Sequence, residues 1–171
     1  MRQEAKTRIL ELLRRLPGKV SVVARQPDTG ETLEYQAQLP HVAASVIKIP
    51  VMVEAFRQQA AGLLDFDAEV VLRPEDKMPS CGALTYMHDG LRVNVRDLVT
   101  LMIILSDNTA TNLMIERLGC ENVNRAMALL GLSPGTCLRR KLFDAERSAQ
   151  GIENTVNAGD YEAPFTAVDK G

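Results

Sequence analysis

Four side chains in two short motifs could together build an activated serine. Ser45 and Lys48 stand three residues apart in a Ser-Val-Ile-Lys string, and Ser106 and Asn108 flank an aspartate further along the chain. A serine hydroxyl attacks poorly at neutral pH because its proton is tightly held, so it needs a base within hydrogen-bond reach. Residues at i and i+3 of a helix share one face, which would place the amine of Lys48 beside the hydroxyl of Ser45. The two motifs therefore predict a serine nucleophile with a lysine base, a second hydroxyl and a carboxamide nearby.

Lys48 can act as a base only if its surroundings lower its pKa towards neutrality. Burial has this effect because it disfavours the charged ammonium. The sequence around the first motif is apolar, with Val42 to Ala44 before Ser45 and Ile49 to Met52 after Lys48. We therefore expect Lys48 to lie on a buried helix that Ser45 opens.

Each motif alone also has a purely structural interpretation. A Ser-x-x-Lys string arises by chance about once in a chain of this length, and Ser45 could simply cap a helix. The triplet at residues 106–108 is good capping and turn chemistry after an apolar helix. The occurrence of both motifs in this order favours a chemical role over the structural one.

With these motifs the chain resembles the class A β-lactamases and the wider family of penicillin-recognising serine hydrolases. The similarity extends to the loop at residues 80–84, to the apolar run at 95–105 that leads into the second motif, and to Leu118-Gly119 at the close of the next helix. It covers nearly the whole chain from about Lys19. The resemblance implies a mostly helical α+β fold, in which a β-lactamase-like helical subdomain follows an N-terminal β-hairpin.

The resemblance also implies roles for individual residues. Ser45 would attack an amide carbonyl and become acylated, its backbone N–H would supply half of an oxyanion hole, and Lys48 would accept or relay its proton. Ser106 would pass the proton to the departing nitrogen, and Asn108 would hold Lys48 and the side-chain amide of the substrate. Asp107 is expected to orient its loop through backbone amides. The implied reaction is hydrolysis of a β-lactam or related amide through an acyl-enzyme.

The water-activating glutamate of the family has no clear counterpart. The family's Glu-Pro-Glu-Leu-Asn string is absent from residues 138–154, where Asp144, Glu146 and Glu153 are the candidate carboxylates. Each of them could equally be a solvated charge in a polar loop. Without a placed carboxylate, acylation would proceed while deacylation is slow, which is how a penicillin-binding protein behaves.

The family's Lys-Thr-Gly strand is not found either. The segment from Gly159 to Gly171 aligns better with the helix after the catalytic loop than with that strand. We therefore expect one β-lactamase-like domain over residues 1–171, truncated before the C-terminal sheet strands, with a helix and hairpin in 1–40 and the helical subdomain in 41–171. A two-stranded hairpin has open edges and is marginal alone. Three explanations compete: a fragment that completes its sheet as a homodimer, by strand exchange or by borrowing the missing part, a stable helical domain with a partial site, and a diverged chain that has replaced the sheet.

Two alternative functions remain open at this point. A D-Ala-D-Ala peptidase or an esterase could use the same serine and lysine, and would hydrolyse an ester without turning over a β-lactam. A catalytically inactive fragment or interaction scaffold is the non-enzymatic alternative. It is motivated by the absent Lys-Thr-Gly strand and the open sheet edge.

Composition argues against several other classes of protein. The 171 residues are 46% hydrophobic and 25% charged, with a net charge of −2, which is ordinary for a globular domain and gives no electrostatic case for nucleic acid or acidic membranes. No apolar run is long enough to span a bilayer. His41 and His88 are isolated, so we expect no metal and no cofactor.

The start of the chain and the cysteines bear on the compartment. Met1–Leu16 reads as an amphipathic helix without the continuous apolar stretch of a signal peptide. This predicts a cytoplasmic protein, or an exported one whose leader has been removed. Three cysteines, Cys81, Cys120 and Cys137, cannot all pair within one chain, which favours free thiols.

Hydrophobic periodicity and turn residues give an expected order of elements. The prediction comprises a helix at Arg2–Arg15, hairpin strands at Lys19–Gln26 and Glu31–Gln38, a helix from Ser45 to about Ala60, a short strand at Glu69–Leu72, and helices at Val95–Leu105, Thr109–Leu118 and Asn122–Leu130.

Overall fold

A helix and a hairpin form the first part of the fold. The structure, a computed structural model, describes residues 3–161. Helix α1 (Gln3–Arg15) precedes the antiparallel strands β1 (Val22–Arg25) and β2 (Thr32–Tyr35). Both strands are shorter than the sequence predicts. Gln36 has a φ of 47°, a left-handed conformation that ends β2 directly after Tyr35.

Four further helices form the core. They are α2 (Lys48–Ala60), α3 (Val95–Ile104), α4 (Asn108–Leu118) and α5 (Cys120–Leu129). Their fully buried side chains recur at helical spacing, as Ile47, Val51 and Ala55 do on and just before α2 and as Leu98 and Met102 do on α3. Burying one large apolar side chain contributes about 1.5–3 kcal/mol to the free energy of unfolding. Burial along these faces therefore stabilises the framework that carries both motifs.

Short strands tie distant segments to this core. Strand β3 (His41–Val42) pairs antiparallel with β6 (Thr155–Val156), and β4 (Glu69–Val71) pairs with β5 (Arg92–Asn94). A further short helix, α6, spans Ala145–Ala149. Apart from β4, these elements were not predicted, because two- and three-residue strands paired over long distances leave no local pattern. The pairing of β3 with β6 fixes the chain just before Ser45.

Helix boundaries differ from the prediction by one or two residues at several ends. The largest difference lies at Ser45, which stands in a single 3-10 turn (Ala44–Ile47) ahead of α2 and not in the first turn of the α-helix itself. Helices α4 and α5 begin one and two residues earlier than predicted. The α+β, mostly helical fold class is confirmed. The division into residues 1–40 and 41–171 remains a prediction.

Within residues 3–161, no helix is both long and apolar enough to cross a membrane. The helix predicted from Gly159 onward is represented there by one 3-10 turn at Gly159–Tyr161, and its remainder lies outside the described residues.

Candidate active site

Ser45 directly follows a strained residue at the entrance to α2. The residue before it, Ala44, has a φ of 43°, which a residue with a Cβ seldom adopts and which costs about 1–3 kcal/mol. The reversal of the chain at Ala44 leaves Ser45 exposed, whereas Lys48 is only 2% exposed. The local backbone thus presents the hydroxyl at the surface and turns the amine inward.

The four residues of the two motifs meet at the amine of Lys48. Its Nζ lies 3.2 Å from the Ser45 Oγ, 2.7 Å from the Ser106 Oγ, 2.6 Å from the Ser106 backbone oxygen and 3.0 Å from the Asn108 Oδ1. The Ser106 hydroxyl also donates to the Ser45 Oγ over 2.9 Å. A proton can therefore pass between either hydroxyl and the amine within direct hydrogen bonds.

Burial lowers the pKa of Lys48 below its ordinary value. The loss of solvation of the ammonium is the main cause, and the electrostatic influence of the nearby Cys81 and Asp107 side chains acts in the opposite direction. At a given pH, a larger fraction of Lys48 is therefore the neutral amine than in an exposed lysine. The neutral amine is the form that can accept a proton from Ser45.

Ser106 and Asp107 form the corner between α3 and α4. Ser106 has a φ of 54°, another left-handed conformation, and this directs both its backbone oxygen and its hydroxyl towards Lys48. The carboxylate of Asp107 is 1% exposed and accepts the backbone N–H groups of Ala83 (2.7 Å), Leu84 (2.9 Å) and Ala110 (2.9 Å). Asp107 therefore orients the corner and the facing loop, as the sequence predicts.

Gly82 makes the close approach of that loop possible. A Cβ at this position would lie 2.7 Å from the Cα of Asp107, and the glycine has a φ of 120°. Both the space and the backbone conformation exclude a side chain. The loop can therefore reach the carboxylate of Asp107 only with glycine here.

A cleft of about 450 Å³ opens in front of Ser45. One side is formed by the first motif, the 80–81 loop and α4, and the other by a loop that runs through residues 136–157. The lining residues are Ala44, Ser45, Ser80, Cys81, Asn108, Arg140, Leu142, Phe143, Asp144, Ala145 and Ser148.

The 136–157 loop is held by an ion pair and an asparagine. The guanidinium of Arg140 pairs with the carboxylate of Glu153, which also accepts the Ser148 hydroxyl at 2.5 Å. The side chain of Asn154 accepts the backbone N–H groups of Arg139 and Arg140 and donates to the Arg140 carbonyl. The hydrogen bonds from Ser148 and Arg140 hold the pKa of Glu153 below its usual range, so this carboxylate stays ionised and engaged.

The three candidate carboxylates occupy different places. Glu153 is bound by Arg140 and Ser148, and Glu146 is exposed on α6 and does not line the cleft. Asp144 does line the cleft, but its Oδ1 accepts the Arg147 N–H and caps α6. Of the three, only Asp144 reaches the cleft of Ser45, and none makes a hydrogen bond to Ser45 or Lys48.

Sequence reasoning missed a contact between Asn112 and Leu142. The amide of Asn112 donates to the Leu142 carbonyl over 2.9 Å and accepts the Leu142 N–H over 2.7 Å. Leu142 is thereby fixed in the cleft wall. The sequence does place Asn112 four residues after Asn108, on the same face of α4, and this spacing could have identified it as a residue near the site.

The described residues contain free thiols but no cluster of potential metal ligands. All three cysteines are free thiols, and Cys81 is exposed at the cleft. Among residues 3–161, no group of three or more His, Cys, Asp or Glu side chains is arranged to hold a metal ion.

The chain belongs to the β-lactamase enzyme family, whose model matches residues 4–171. Comparison with curated proteins gave no match. Among solved structures, the β-lactamase from Sphaerobacter thermophilus superposes with a TM-score of 0.87 at 33% identity, over 100% of this chain and 64% of that one.

Two structures of a protein named PBP-A are also similar. One has a TM-score of 0.87 at 27% identity and covers 99% of this chain and 63% of that chain. The other is a leucine-to-glutamate variant of PBP-A, solved as an acyl-enzyme complex with penicillin G, with a TM-score of 0.81 at 27% identity over 93% and 59%. The present chain thus spans a little under two thirds of the length of these relatives.

Proposed function

We propose that this protein is a serine acyl-transfer enzyme that takes a β-lactam, or a related peptide-like amide, onto Ser45. The observation that carries the proposal is the buried amine of Lys48 in contact with the hydroxyls of both Ser45 and Ser106. A buried lysine that bonds two serine hydroxyls is equipped to move a proton from one to the other.

The reaction would proceed as follows. The Ser45 Oγ attacks the amide carbonyl while its proton passes to Lys48, and the backbone N–H of Ser45 donates to the developing oxyanion. Ser106, which contacts both groups, gives its proton to the amide nitrogen as the carbon–nitrogen bond breaks and receives one from the ammonium of Lys48, which returns to the neutral amine. Asn108, which shares the cleft with Ser45, holds the side-chain amide of the substrate. The product of this half-reaction is an ester on Ser45.

Release of that ester would be slow. The cleft wall opposite Ser45 carries the apolar side chain of Leu142, and Asp144 is committed in part to capping α6. A carboxylate that activates water is needed for rapid hydrolysis. Leu142 has none, and one carboxylate oxygen of Asp144 already accepts the Arg147 N–H. The geometry therefore favours the behaviour of a penicillin-binding protein over rapid β-lactam hydrolysis.

Intact-mass spectrometry after incubation with a penicillin tests the proposal. We expect a mass increase of one drug molecule that is absent in Ser45→Ala and that persists for many minutes after free drug is removed. Rapid loss of the adduct would instead indicate a hydrolysing β-lactamase, with Asp144 as the first carboxylate to replace. An absent adduct, with the drug left intact, would contradict the proposal and favour an inactive interaction scaffold.

A peptidase acting on a D-Ala-D-Ala terminus is the second candidate. The open cleft of about 450 Å³ has room for an extended peptide as well as for a bicyclic lactam. Release of D-alanine from a D-Ala-D-Ala peptide, dependent on Ser45, would support this function. An ester substrate hydrolysed without peptide cleavage would instead identify an esterase.

A further inference from the structure

Phe143 is an aromatic residue held in an unusual position at the cleft. Its φ is 59°, in the left-handed region, and its side chain is 52% exposed among the lining residues. Within residues 3–161, the one pair of aromatic rings in contact is Phe56 with Phe66, so Phe143 has no aromatic partner there. A bulky residue in a strained conformation, half exposed beside a nucleophile, is not explained by packing.

The backbone on both sides of Phe143 is fixed. Leu142 before it is bound at both its N–H and its carbonyl by the amide of Asn112. Asp144 after it accepts the Arg147 N–H at 3.0 Å and begins α6. The two anchors hold residue 143 in its left-handed conformation, so the ring is a preformed part of the wall and needs no reordering to meet a ligand.

The charges around this wall are unfavourable to an anion. Arg140 is the one cationic side chain among the described lining residues, and its guanidinium is already bonded to the Ile152 carbonyl (2.9 Å), the Lys141 carbonyl (3.0 Å) and the carboxylate of Glu153. Asp144 adds a carboxylate to the same side. A ligand group that reaches this wall therefore meets an apolar ring and negative charge.

We propose that Phe143 determines specificity by packing against the acyl side chain of the substrate, with a preference for uncharged aromatic or apolar groups. The inference rests on the proposed function, since it requires the substrate carbonyl to lie at Ser45. Asn108 lines the same cleft, and Asn112, one turn further along α4, binds the backbone of Leu142, so a side chain whose amide Asn108 holds can extend along α4 towards Leu142 and Phe143. An anionic side chain would be disfavoured at the same place.

Noncovalent binding to the Ser45→Ala protein tests the inference without requiring acylation. Three ligands share one nucleus and one side-chain amide: benzylpenicillin with an aromatic side chain, 6-acetamidopenicillanic acid with a methyl group in place of it, and carbenicillin with a carboxylate beside the ring. We expect benzylpenicillin to bind about tenfold more tightly than either of the others, as one aromatic contact allows. Adding Phe143→Ala should remove most of that difference. Equal binding of the three ligands, or a difference that survives Phe143→Ala, would overturn the inference.

Two further variants separate specificity from folding. Phe143→Gly removes the ring and also relieves the left-handed strain, so it should be at least as thermostable as the parent while losing the preference. Tyr86→Ala removes an aromatic side chain that is 82% exposed and lies outside the cleft, and it should keep the preference. Loss of the preference in Tyr86→Ala as well would show a general effect and reject the role of Phe143. A missing covalent adduct in the parent protein would count against the proposed function alone, because these binding measurements do not depend on it.

Discussion

At the scale of single residues, Lys48 is the group on which the proposed chemistry depends most. We expect Lys48→Met to lower the rate of acylation by about 10²–10⁴-fold, the usual contribution of a general base. In the parent protein that rate should rise with pH and level off below 10.5, because burial lowers the pKa of Lys48 from this value. Stopped-flow or mass-resolved acylation over a pH series provides the measurement.

Lys77→Met is the matched control. Lys77 pairs with Asp89 and bonds the Met87 carbonyl away from the cleft, so its removal should leave both the rate and the pH profile unchanged. An unaltered pH rise in Lys48→Met would assign the titration to another group.

The lowered pKa of Lys48 also affects the stability of the fold. Between the lowered folded pKa and the unfolded value, the unfolded chain binds more protons, so the contribution of Lys48 to the free energy of unfolding rises with pH.

Leu142 offers a second test at this scale. Because its backbone is held by Asn112 and its side chain lines the cleft, Leu142→Glu would place a carboxylate on the wall that faces Ser45. We expect the acyl-enzyme to decay at least about tenfold faster in this variant, through general-base activation of water. Leu142→Gln has the same size and cannot accept the proton, so its adduct should persist as in the parent. Equal decay in the two variants would mean that water is not activated from this position.

At the scale of elements, the corner between α3 and α4 joins three segments through one carboxylate. Asp107→Ala would leave the N–H groups of Ala83, Leu84 and Ala110 without their acceptor. Since each hydrogen bond to a charged group contributes about 1.5–3 kcal/mol and such losses are not additive, we expect the free energy of unfolding to fall by about 3–5 kcal/mol. Urea denaturation measures this directly.

Asp97→Ala provides the comparison for that measurement. Asp97 also bonds a backbone N–H, that of Asn94, but in an exposed capping box at the start of α3. Its loss should cost only about 1 kcal/mol. If the two variants unfold alike, the buried carboxylate of Asp107 does not hold the corner in the way we describe.

How far the sequence predicts these elements depends on the range of the contacts. The juxtaposition of Ser45 and Lys48 follows from helical spacing, and the buried helices follow from apolar periodicity. The strain at Ala44 and Ser106 could not be predicted, because neither residue type favours a positive φ and both conformations are imposed by neighbouring segments. The contact between Asn112 and residue 142 joins positions thirty residues apart and leaves no local pattern.

At the scale of the whole molecule, stability is unevenly distributed. Helix α1 has no buried residue, and Leu33 is the one buried residue of strands β1 and β2, whereas α2 buries six of its 13 residues and α4 buries nine of its 11. Local opening is easiest where little apolar surface is covered. We expect backbone amides of α1, β1 and β2 to exchange with deuterium much faster than those of α2 and α4, as measured by hydrogen-exchange mass spectrometry.

If the amides of β1 and β2 exchange slowly, the hairpin is not as weakly held as it would be in a monomer. Within the described residues neither outer edge of the β1–β2 sheet has a further strand beside it, since each strand pairs only with the other. Protection that increases with protein concentration would then point to the homodimer or strand exchange that the sequence suggests. Sedimentation at two concentrations distinguishes the cases.

The close approach of Gly82 to Asp107 has a consequence for gene recombination within the family. Gly82 and Asp107 depend on each other, because the carboxylate of Asp107 occupies the space that a side chain at position 82 would need. A chimera whose crossover falls between them would fold well only if both parents share this glycine–aspartate pair. Shuffled libraries should therefore be depleted of crossovers in that interval whenever one parent carries a side chain at the glycine position.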